Sequence, residues 1–396
     1  MKTEWPLKKV SEIAHHSLGK MLDKAKNKGA MQPYLRNINV RWFGFDLLDV
    51  LEMRFLPEES DRYTAIRGDV LICEGGSPGR AAIWESDAPI YFQKALHRVR
   101  FHERERSQWF LYYLYFRDLE GTLKNHFNGA GIQHFTGEAL ARFELPCPPI
   151  KEQQRIVAIL DEAFAGIATA RAAAEQNRQN ARALFESHLQ SVFSHAWQTG
   201  TVVSLSDLAT DITDGDHMPP PKSETGVPFI TIGNIQKDTR QIDFSDTFKV
   251  PREYFDGLKA NKKPQAGDVL YTVTGSFGIP VLVEGSEEFC FQRHIGLVRP
   301  KADISSNWLF YLLMSPQVFK QANDGATGTA QKTVSLKLLR GFQVPRVTPE
   351  QQLADVATLD ALTVETQNLE ALYQRKLEAL DELKHSLLHQ AFSGAL

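Results

Sequence analysis

The chain has 396 residues, of which 42% are hydrophobic and 23% are charged, and its formal net charge is −3. This composition is typical of folded domains and argues against a disordered chain, and the length allows two or three domains. The near-neutral charge argues mildly against a protein that binds nucleic acid by bulk electrostatics alone, but it is compatible with a local basic patch.

Cellular location is constrained by apolar runs and by cysteine usage. No apolar run reaches the ~18–20 residues that span a bilayer, and we expect no secretory signal at the start. The three cysteines, Cys73, Cys147 and Cys290, form no CxxC pair. We therefore expect a reducing cytoplasm and no cysteine-based zinc site.

Short strands followed by a short helix are predicted in each half of the chain, because β-rich runs alternate with turn residues. In the first half the predicted strands are Asp69–Cys73, Ala81–Trp84 and Ala95–Phe101, and the helix is Trp109–Phe116. In the second half the strands are Phe229–Ile232, Asp268–Thr274, Pro280–Glu284 and His294–Arg299, and the helix is Trp308–Met314.

A long helix is predicted after each of these regions. Glu152 to about Ala196 contains no proline and one glycine, Gly166, and Glu350 to about Ser393 contains neither residue. Each helix would be about 65 Å long at ~1.5 Å per residue. Thr348, followed by proline, marks the start of the second helix, and Gly394 marks its end.

The two halves repeat each other at a fixed offset of 199 residues. Gly68–Leu71 returns as Gly267–Leu270, and between 68 and 100 the offset gives 12 identities in 33 positions. The same offset holds near the end of each half, where Ser187, Leu189, Phe193 and Ser194 match Ser386, Leu388, Phe392 and Ser393. The chain is therefore a tandem duplication of about 200 residues, and we expect two similar surfaces related by a rough two-fold axis.

The long helices carry apolar residues at a spacing of three to four, and a helix this long with one apolar stripe needs a partner helix. The other copy supplies it, so we predict an antiparallel coiled coil with a close approach along Ala163–Ala174. The predicted interface residues are Ile156, Leu160, Ile167, Leu184 and Leu189 with Leu362, Leu369, Leu372, Leu380 and Leu387. The alternative is that each helix packs separately on its own globular domain.

Sequence motifs at the start of each helix are more specific. The run 145–161, LPCPPIKEQQRIVAILD, is similar to the start of the helical region in specificity subunits of type I restriction–modification systems. The second copy, Val344–Gln352, is similar but lacks the Arg-Ile-Val continuation. Asp214–Pro220, followed by Gly226–Ile230 and Asn234-Ile235, resembles the opening of a target-recognition domain in that family. The first copy keeps only Pro33–Leu35 and Asn37-Ile38 of it.

The resemblance covers essentially the whole chain and implies an α+β fold. It implies two pseudo-symmetric mixed α/β target-recognition domains, separated by two long helices packed as an antiparallel coiled coil. The expected segments are residues 1–149 for the first domain, 150–199 for the central helical region, 200–347 for the second domain and 348–396 for the C-terminal helical region.

The function that the resemblance implies is DNA sequence recognition without catalysis. Each domain would read one half of a split, asymmetric site in double-stranded DNA. The helices would set the half-site spacing and bind methyltransferase subunits, with a translocating nuclease subunit joining the complex. S-adenosylmethionine, ATP and magnesium would belong to those partners. Two alternatives stay open: a coiled-coil scaffold with protein-binding lobes, and a recognition subunit of a methylation-only defence complex.

Candidate DNA contacts are polar or basic residues in turns and glycine-rich loops. They are Lys20, Lys24, Lys26, Lys28, Ser77, Arg80, Gln93 and Lys94 in the first domain, and His217, Thr274, Ser276, Gln292, Arg293, His294 and Lys332 in the second. The competing interpretations are glycine-dependent turns at 74–80 and 274–278, a solvated loop at 20–28, and mobile connectors at 129–134 and 325–332. Because Gln93 and Gln292 occur in both copies, sequence choice should lie in segments that differ, such as Lys20–Trp42 and Asp214–Arg240.

Metal and catalytic patterns are weak. Asp211, Asp214, Asp216 and His217 resemble metal ligands, but the EF-hand spacing fails, and a turn with Asx-type hydrogen bonds is the better interpretation. The chain contains no nucleotide-binding Gly-Lys-Ser/Thr, no HExxH and no amino-methyltransferase Pro-Pro-Tyr/Phe motif. We therefore expect no bound metal and no enzyme activity in this chain.

Overall fold

The computed structural model describes residues 5–23, 25–329 and 331–396. The chain divides into two compact units. Unit 1 contains Met1–Glu175 and Arg375–Leu396, and unit 2 contains Gln176–Gln374. Each unit therefore takes one part of each long helix. The four-segment division above instead follows the boundaries between globular and helical sequence, and it stays a prediction.

Unit 1 is built on two four-stranded sheets. The first is antiparallel, with the order Ala14–Leu18, Leu96–Phe101, Val70–Cys73, Ala81–Ile83. The second has the order Leu51–Phe55, Ala30–Leu35, Ile90–Phe92, Thr64–Ala65, and its middle pair is parallel. Leu7–Lys9 pairs with Glu144–Pro146, and the principal globular helices are Arg106–Leu119 and Gly137–Arg142.

Unit 2 repeats this plan in the same chain order. Its antiparallel sheet has the order Ala209–Asp214, Ile295–Pro300, Val269–Thr272, Pro280–Leu282. Its second sheet has the order Phe248–Val250, Val227–Ile230, Cys290–Phe291. Thr201–Ser204 pairs with Gln343–Arg346, and the principal globular helices are Ser306–Met314, Pro316–Gly325 and Leu336–Arg340. The predicted strands and short helices are confirmed to within a few residues.

A buried ion pair explains the Gly-Asp-Val-Leu motif and the distant arginine that repeats with it. Asp69 is fully buried, and Arg100 donates to both of its carboxylate oxygens at 2.9 and 2.6 Å. In unit 2, Arg299 donates to both oxygens of Asp268 at 2.8 and 2.7 Å. A buried carboxylate must be paired, and a bidentate arginine supplies the strongest geometry. These repeated residues therefore hold the sheet together.

The two long helices span Ile150–Thr199 and Pro349–Ser393. The Thr348 hydroxyl accepts a hydrogen bond from the backbone N–H of Gln351, as expected for a helix N-cap. Gly394 follows the second helix with a φ of 72°, a left-handed conformation that favours glycine at a helix C-terminus. Both predicted helices and both predicted end signals are confirmed.

Within each unit the two helical parts run antiparallel. In unit 1, Arg155 donates to the carbonyl of Leu396 at 2.8 Å, and Arg171 donates to Asp381 at 2.5 Å. In unit 2, Arg178 donates to Gln374 at 3.0 Å, and Arg182 donates to Glu370 at 2.7 Å. A step of four residues forward on the first helix therefore corresponds to four residues back on the second. The predicted antiparallel pairing is thus present inside each unit.

Each globular core is completed by the end of the helix that belongs to the other repeat. In unit 1, Leu388 and Ala391 of the second helix join the same buried cluster as Trp109. In unit 2, Phe193 and Ala196 of the first helix join the cluster around Trp308. Burial of these apolar groups explains why the helix ends, as well as the globular regions, keep the 199-residue repeat.

The phase of the apolar stripe on the second helix differs from the predicted one. Leu369 and Leu372 are exposed on that helix, as is Leu184 on the first. Leu362, Leu380 and Leu387 are half-buried. The buried positions along the helices include, for the first, Ile156, Leu160, Ile167, Ala174, Ala181 and Leu189, and, for the second, Leu359, Thr366, Leu377 and Leu388. Each residue turns the helix by about 100°, so neighbouring leucines such as 387 and 388 cannot both face the core.

A tyrosine–aspartate hydrogen bond ties each short globular helix to the start of the next long helix. The Tyr112 hydroxyl donates to Asp161 at 2.5 Å, and the Tyr311 hydroxyl donates to Asp360 at 2.6 Å. Burial and the adjacent carboxylate raise the pKa of Tyr311 to about 12, so the hydroxyl keeps its proton at neutral pH. The same contact therefore fixes the angle between globular region and helix in both units.

Candidate nucleic-acid interface

In unit 1, chain segments that carry predicted site residues meet the glycine-rich loop 128–136 at one surface. The backbone N–H of Glu74 donates to the carbonyl of Ala95 at 2.9 Å, and the N–H of Phe135 donates to the carbonyl of Glu74 at 2.8 Å. The loop 74–80 is therefore held between the Gln93-Lys94 turn and the glycine-rich loop 128–136. The N–H of Lys94 also donates to the carbonyl of Lys20 at 2.8 Å, which attaches the basic loop to the same surface.

The glycines of loop 74–80 are required by the turn itself. Gly76 has a φ of 77°, and a Cβ atom there would lie 2.3 Å from the amide nitrogen of Asn37. That same amide donates to the carbonyl of Gly75 at 3.1 Å. The positive φ and the lack of space for a side chain therefore explain why this residue is a glycine. A close approach of DNA is not needed to explain it.

The three segments enclose an open groove of about 460 Å³. It is lined by one acidic, one basic and several neutral polar side chains: Glu74, Lys94, Asn128, His134 and Thr136, together with Gly129. Lys94, Asn128 and His134 are exposed. Hydrogen-bond donors and acceptors of this kind, on loops held by backbone bonds, suit recognition of base edges or phosphates.

Two of the predicted DNA contacts in unit 1 bind groups of their own domain; burial corrects the prediction for Lys20, and Arg80 stays a prediction. Lys20 is only 6% exposed, and its ammonium group forms an ion pair with Glu59 at 2.5 Å. Arg80 is half-buried, and its guanidinium donates to the carbonyl of Asn37 at 3.1 Å. Lys20 is thus held inside the domain by its ion pair, whereas Arg80 is oriented by Asn37 and stays partly accessible.

The other unit 1 candidates have mixed exposure. Lys26 and Lys28 are exposed, and Lys26 lies 3.7 Å from Asp23, an exposed pair of little energetic weight. Ser77 and Gln93 are half-buried, and the Ser77 hydroxyl donates to the carbonyl of Gly76. Lys24 lies outside the described residues.

Unit 2 builds the same surface from equivalent backbone bonds. The N–H of Val273 donates to the carbonyl of His294 at 2.9 Å, and the N–H of Val334 donates to the carbonyl of Val273 at 2.8 Å. Gly129 and Gly328, 199 residues apart, have φ values of 114° and 112°. The glycine-rich loops of the two units are therefore the same turn, with their equivalent positions at the fixed repeat offset.

The unit 2 candidates differ in accessibility. Ser276, Arg293 and Lys332 are exposed, and Gln292 and His294 are half-buried. Thr274 is only 6% exposed and forms a backbone bridge with Thr333, which corrects its prediction as a DNA contact. Thr274 lies just beyond the strand Val269–Thr272 and is buried there, whereas Arg293, at the position equivalent to Lys94, is exposed.

The acidic residues near His217 form hydrogen bonds with other side chains of the protein. His217 is exposed, and its Nε2 lies 2.8 Å from a carboxylate oxygen of Asp214. The Tyr254 hydroxyl donates to Asp216, and burial, with Asp216 nearby, raises the pKa of the Cys290 thiol to about 12. Within the described ranges, no group of three or more His, Cys, Asp or Glu side chains is arranged to hold a metal ion.

A buried histidine contacts the glycine-rich loop that lines the groove of unit 1. His97 is 1% exposed, and its Nε2 lies 3.0 Å from the carbonyl of Phe135, next to the glycine-rich loop. Burial lowers the pKa of His97 to about 4 despite the hydrogen bond to that carbonyl. At neutral pH the imidazole is uncharged, and its N–H can donate to the loop.

Sequence reasoning missed four residues that line the groove. Glu74, Asn128, His134 and Thr136 were not among the predicted contacts, although three of them lie in or beside loops that were singled out. Comparing the two copies at the fixed offset would have found Glu74, because position 273 of the second copy is valine.

Comparison with known proteins identifies the class. The family model described as "Type I restriction modification DNA specificity domain" matches residues 2–176 and 198–379. These ranges cover most of the chain and contain both copies of the polar surface. The chain therefore belongs to the type I restriction–modification DNA specificity family, as a specificity subunit with two target-recognition domains.

Individual relatives are distant but extensive. The chain is 24% identical over 324 residues to the type I restriction enzyme MjaVIII specificity subunit of Methanocaldococcus jannaschii, covering 75% of this chain and 73% of that protein. It is 21% identical over 342 residues to the EcoBI specificity subunit of Escherichia coli, covering 80% and 71%.

Solved structures confirm the fold. A chain from a type I restriction–modification system has a TM-score of 0.79 at 19% identity, covering 100% of this chain and 99% of that one. The HsdS subunit from Thermoanaerobacter tengcongensis has a TM-score of 0.64 at 19% identity, covering 100% and 98%. In the part of the chain that the structure describes, no helix is both long enough and apolar enough to cross a membrane.

Proposed function

We propose that each target-recognition domain reads one half of a split, asymmetric DNA site through its polar surface. The observation that carries this proposal is the duplicated surface itself. The backbone bonds at Glu74 and Val273 are the same, and the cations Lys94 and Arg293 occupy equivalent positions. Other groove positions differ: Glu74, Asn128, His134 and Thr136 correspond to Val273, Thr327, Thr333 and Ser335. A shared cation suits phosphate contact, which is independent of sequence, and the differing side chains suit base reading.

The chain itself is non-catalytic in this proposal. Methylation, ATP hydrolysis and cleavage belong to methyltransferase and nuclease subunits, which carry S-adenosylmethionine, ATP and magnesium. The complex works in the cytoplasm, where its DNA lies. The naming of the curated relatives as specificity subunits supports this division of labour.

The helices bind the methyltransferase subunits and set the half-site spacing. Apolar side chains on the helical part of unit 2 support the first role: Leu184 on the first helix and Leu353, Val364 and Leu372 on the second are between 39% and 67% exposed. Single exposed leucines are ordinary, but several on one helix pair suit a protein partner. Insertion of one helical turn, ~5.4 Å, should lengthen the gap between half-sites by between one and two base pairs.

The experiment that tests the proposal maps methylated motifs in a host genome with and without this gene. Replacing residues 1–149 with the equivalent lobe of a relative should change one half of the motif and leave the other half intact. The donor lobe must keep a tryptophan and a tyrosine at positions 109 and 112, because these contact the helices in unit 1. If both halves change together, one domain does not read one half-site. If the gene directs methylation to no motif, the scaffold alternative is favoured.

A further inference from the structure

Among the positions that line the groove of unit 1, the charge differs from that at the equivalent unit 2 position at Glu74. Glu74 lines the groove of unit 1, and its equivalent in unit 2 is Val273, which is 4% exposed. The backbone at both positions makes the same pair of hydrogen bonds, to Ala95 and Phe135 in unit 1 and to His294 and Val334 in unit 2. The duplicated domain therefore folds this loop with an apolar residue, and the fold does not require a carboxylate there.

Glu74 is also free of internal partners. Among the described residues its carboxylate has no hydrogen bond or ion pair, although Lys94 lines the same groove. Two other carboxylates of this domain, Asp69 and Glu59, are instead paired with Arg100 and Lys20. An unpaired carboxylate on the edge of a groove retains its full capacity to accept hydrogen bonds from a ligand.

The neighbouring residues make room for a second polar group beside Glu74. A Cβ atom on Gly75 would lie 3.0 Å from Nδ1 of His134, so the glycine allows the imidazole to lie over the loop. Unit 2 has Thr274 in place of this glycine and Thr333 in place of the histidine, and the two form a backbone bridge. The groove of unit 1 thus carries an acceptor and an imidazole that unit 2 lacks.

A carboxylate on a DNA-binding surface repels phosphates, so its role must differ from that of Lys94. In the major groove, only the exocyclic amino groups, N4 of cytosine and N6 of adenine, offer hydrogen atoms to such an acceptor. We propose that Glu74 determines specificity in unit 1 by accepting a hydrogen bond from the amino group of a base in the half-site that this domain reads. The inference rests on the proposed function and deepens it.

The test uses the full chain assembled with its methyltransferase and maps the methylated motif for Glu74→Gln and Glu74→Val. A glutamine pairs well with adenine, and a valine accepts no hydrogen bond. If the base is cytosine, Glu74→Gln should reduce the preference for it by about tenfold to a hundredfold and admit adenine. If the base is adenine, Glu74→Gln should keep it, and Glu74→Val should lose the preference by the same factor.

Two internal controls separate reading from folding. The half-site read by unit 2 should stay unchanged in both variants, and Glu85→Gln, the same charge change at an exposed position of unit 1 outside the groove, should leave the whole motif unchanged. Binding of unrelated duplex DNA should become equal or tighter in Glu74→Gln, because a charge that repels phosphates is removed. If Glu74→Val prevents assembly, Glu74→Ala, whose side chain also accepts no hydrogen bond, takes its place in the comparison.

The outcomes distinguish this inference from the function on which it rests. A wild-type chain that directs methylation to no sequence overturns both. A wild-type chain with a split motif, together with an unchanged motif in both Glu74 variants, overturns only the role of Glu74. A uniform loss of methylation at every sequence, without a change in base preference, also overturns it, since that result indicates a structural role.

Discussion

Phe392, near the end of the second long helix, packs against Trp109 of the first target-recognition domain with ring centroids 4.7 Å apart. Phe193, near the end of the first long helix, packs against Trp308 of the second domain at 5.7 Å. Each domain thus depends on the last turns of the helix from the other repeat. Neither repeat contains a complete core by itself, and this has direct consequences for stability.

Phe392→Ala should destabilise unit 1 by about 3 kcal/mol and leave unit 2 nearly unchanged, because an aromatic side chain is removed from one core only. Hydrogen exchange followed by mass spectrometry measures protection in each unit separately. The matched variant is Phe193→Ala, for which unit 2 should lose protection instead. Equal losses in both units from either variant would contradict the assignment of helix ends to cores.

Leu388→Ala and Leu387→Ala test the phase of the second helix. Leu388 is fully buried and should cost about 3 kcal/mol of stability, whereas the half-buried Leu387 should cost about 1 kcal/mol. Denaturant unfolding of the two variants gives the comparison. The two substitutions remove the same atoms from adjacent positions, so a larger cost at 387 would indicate that the helix is rotated relative to the described packing.

Unit 1 should lose stability in mild acid through His97. Its folded pKa of about 4 lies below the unfolded value near 6.5, so the unfolded chain binds an extra proton between these values. The contribution, about 3 kcal/mol, is fully present above pH 6.5 and is lost as pH falls toward 4. Protection of the strand Leu96–Phe101 in hydrogen exchange should fall over this window.

Unit 2 provides the reference for this pH dependence, because Gly296 replaces the histidine at the equivalent strand position. His97→Gln should remove most of the difference between the units, since an amide can donate to the Phe135 carbonyl without titrating. If the variant keeps the full acid sensitivity of unit 1, other groups, such as the half-buried His16, whose pKa is also lowered by burial, are responsible.

Lys94→Ala and Arg293→Ala should weaken DNA binding without changing the methylated motif. Each exposed cation that contacts a phosphate contributes about 0.9 to the slope of log affinity against log salt concentration, so each variant should lower the slope by about one. Titrations of the complex with duplex DNA at several salt concentrations measure it. Lys20→Met serves as the contrast, because this buried lysine should affect folding and not the salt slope. A change of motif in Lys94→Ala would make that lysine a base reader instead.

The sequence by itself determined the repeat, the two long helices with their ends, and the family. These follow from local signals: identities at a fixed offset, helix-terminal residues such as Thr348 and Gly394, and a motif read along the chain. Strand positions were also predictable, since turn residues separate the apolar runs.

Only the tertiary structure decided which side chains face inward. Lys20 and Arg80 are basic, as many DNA contacts are, but each binds a distant part of its own domain. Their partners, Glu59 and Asn37, lie 39 and 43 residues away, and no local pattern connects them. The second helix has leucines at adjacent positions, such as 387 and 388, and either could face inward by sequence alone. The core that the helix completes decides which one is buried. The difference between Glu74 and Val273 is present in the sequence, but only the fold shows that Glu74 lines a groove, because that groove is formed by segments far apart in the chain.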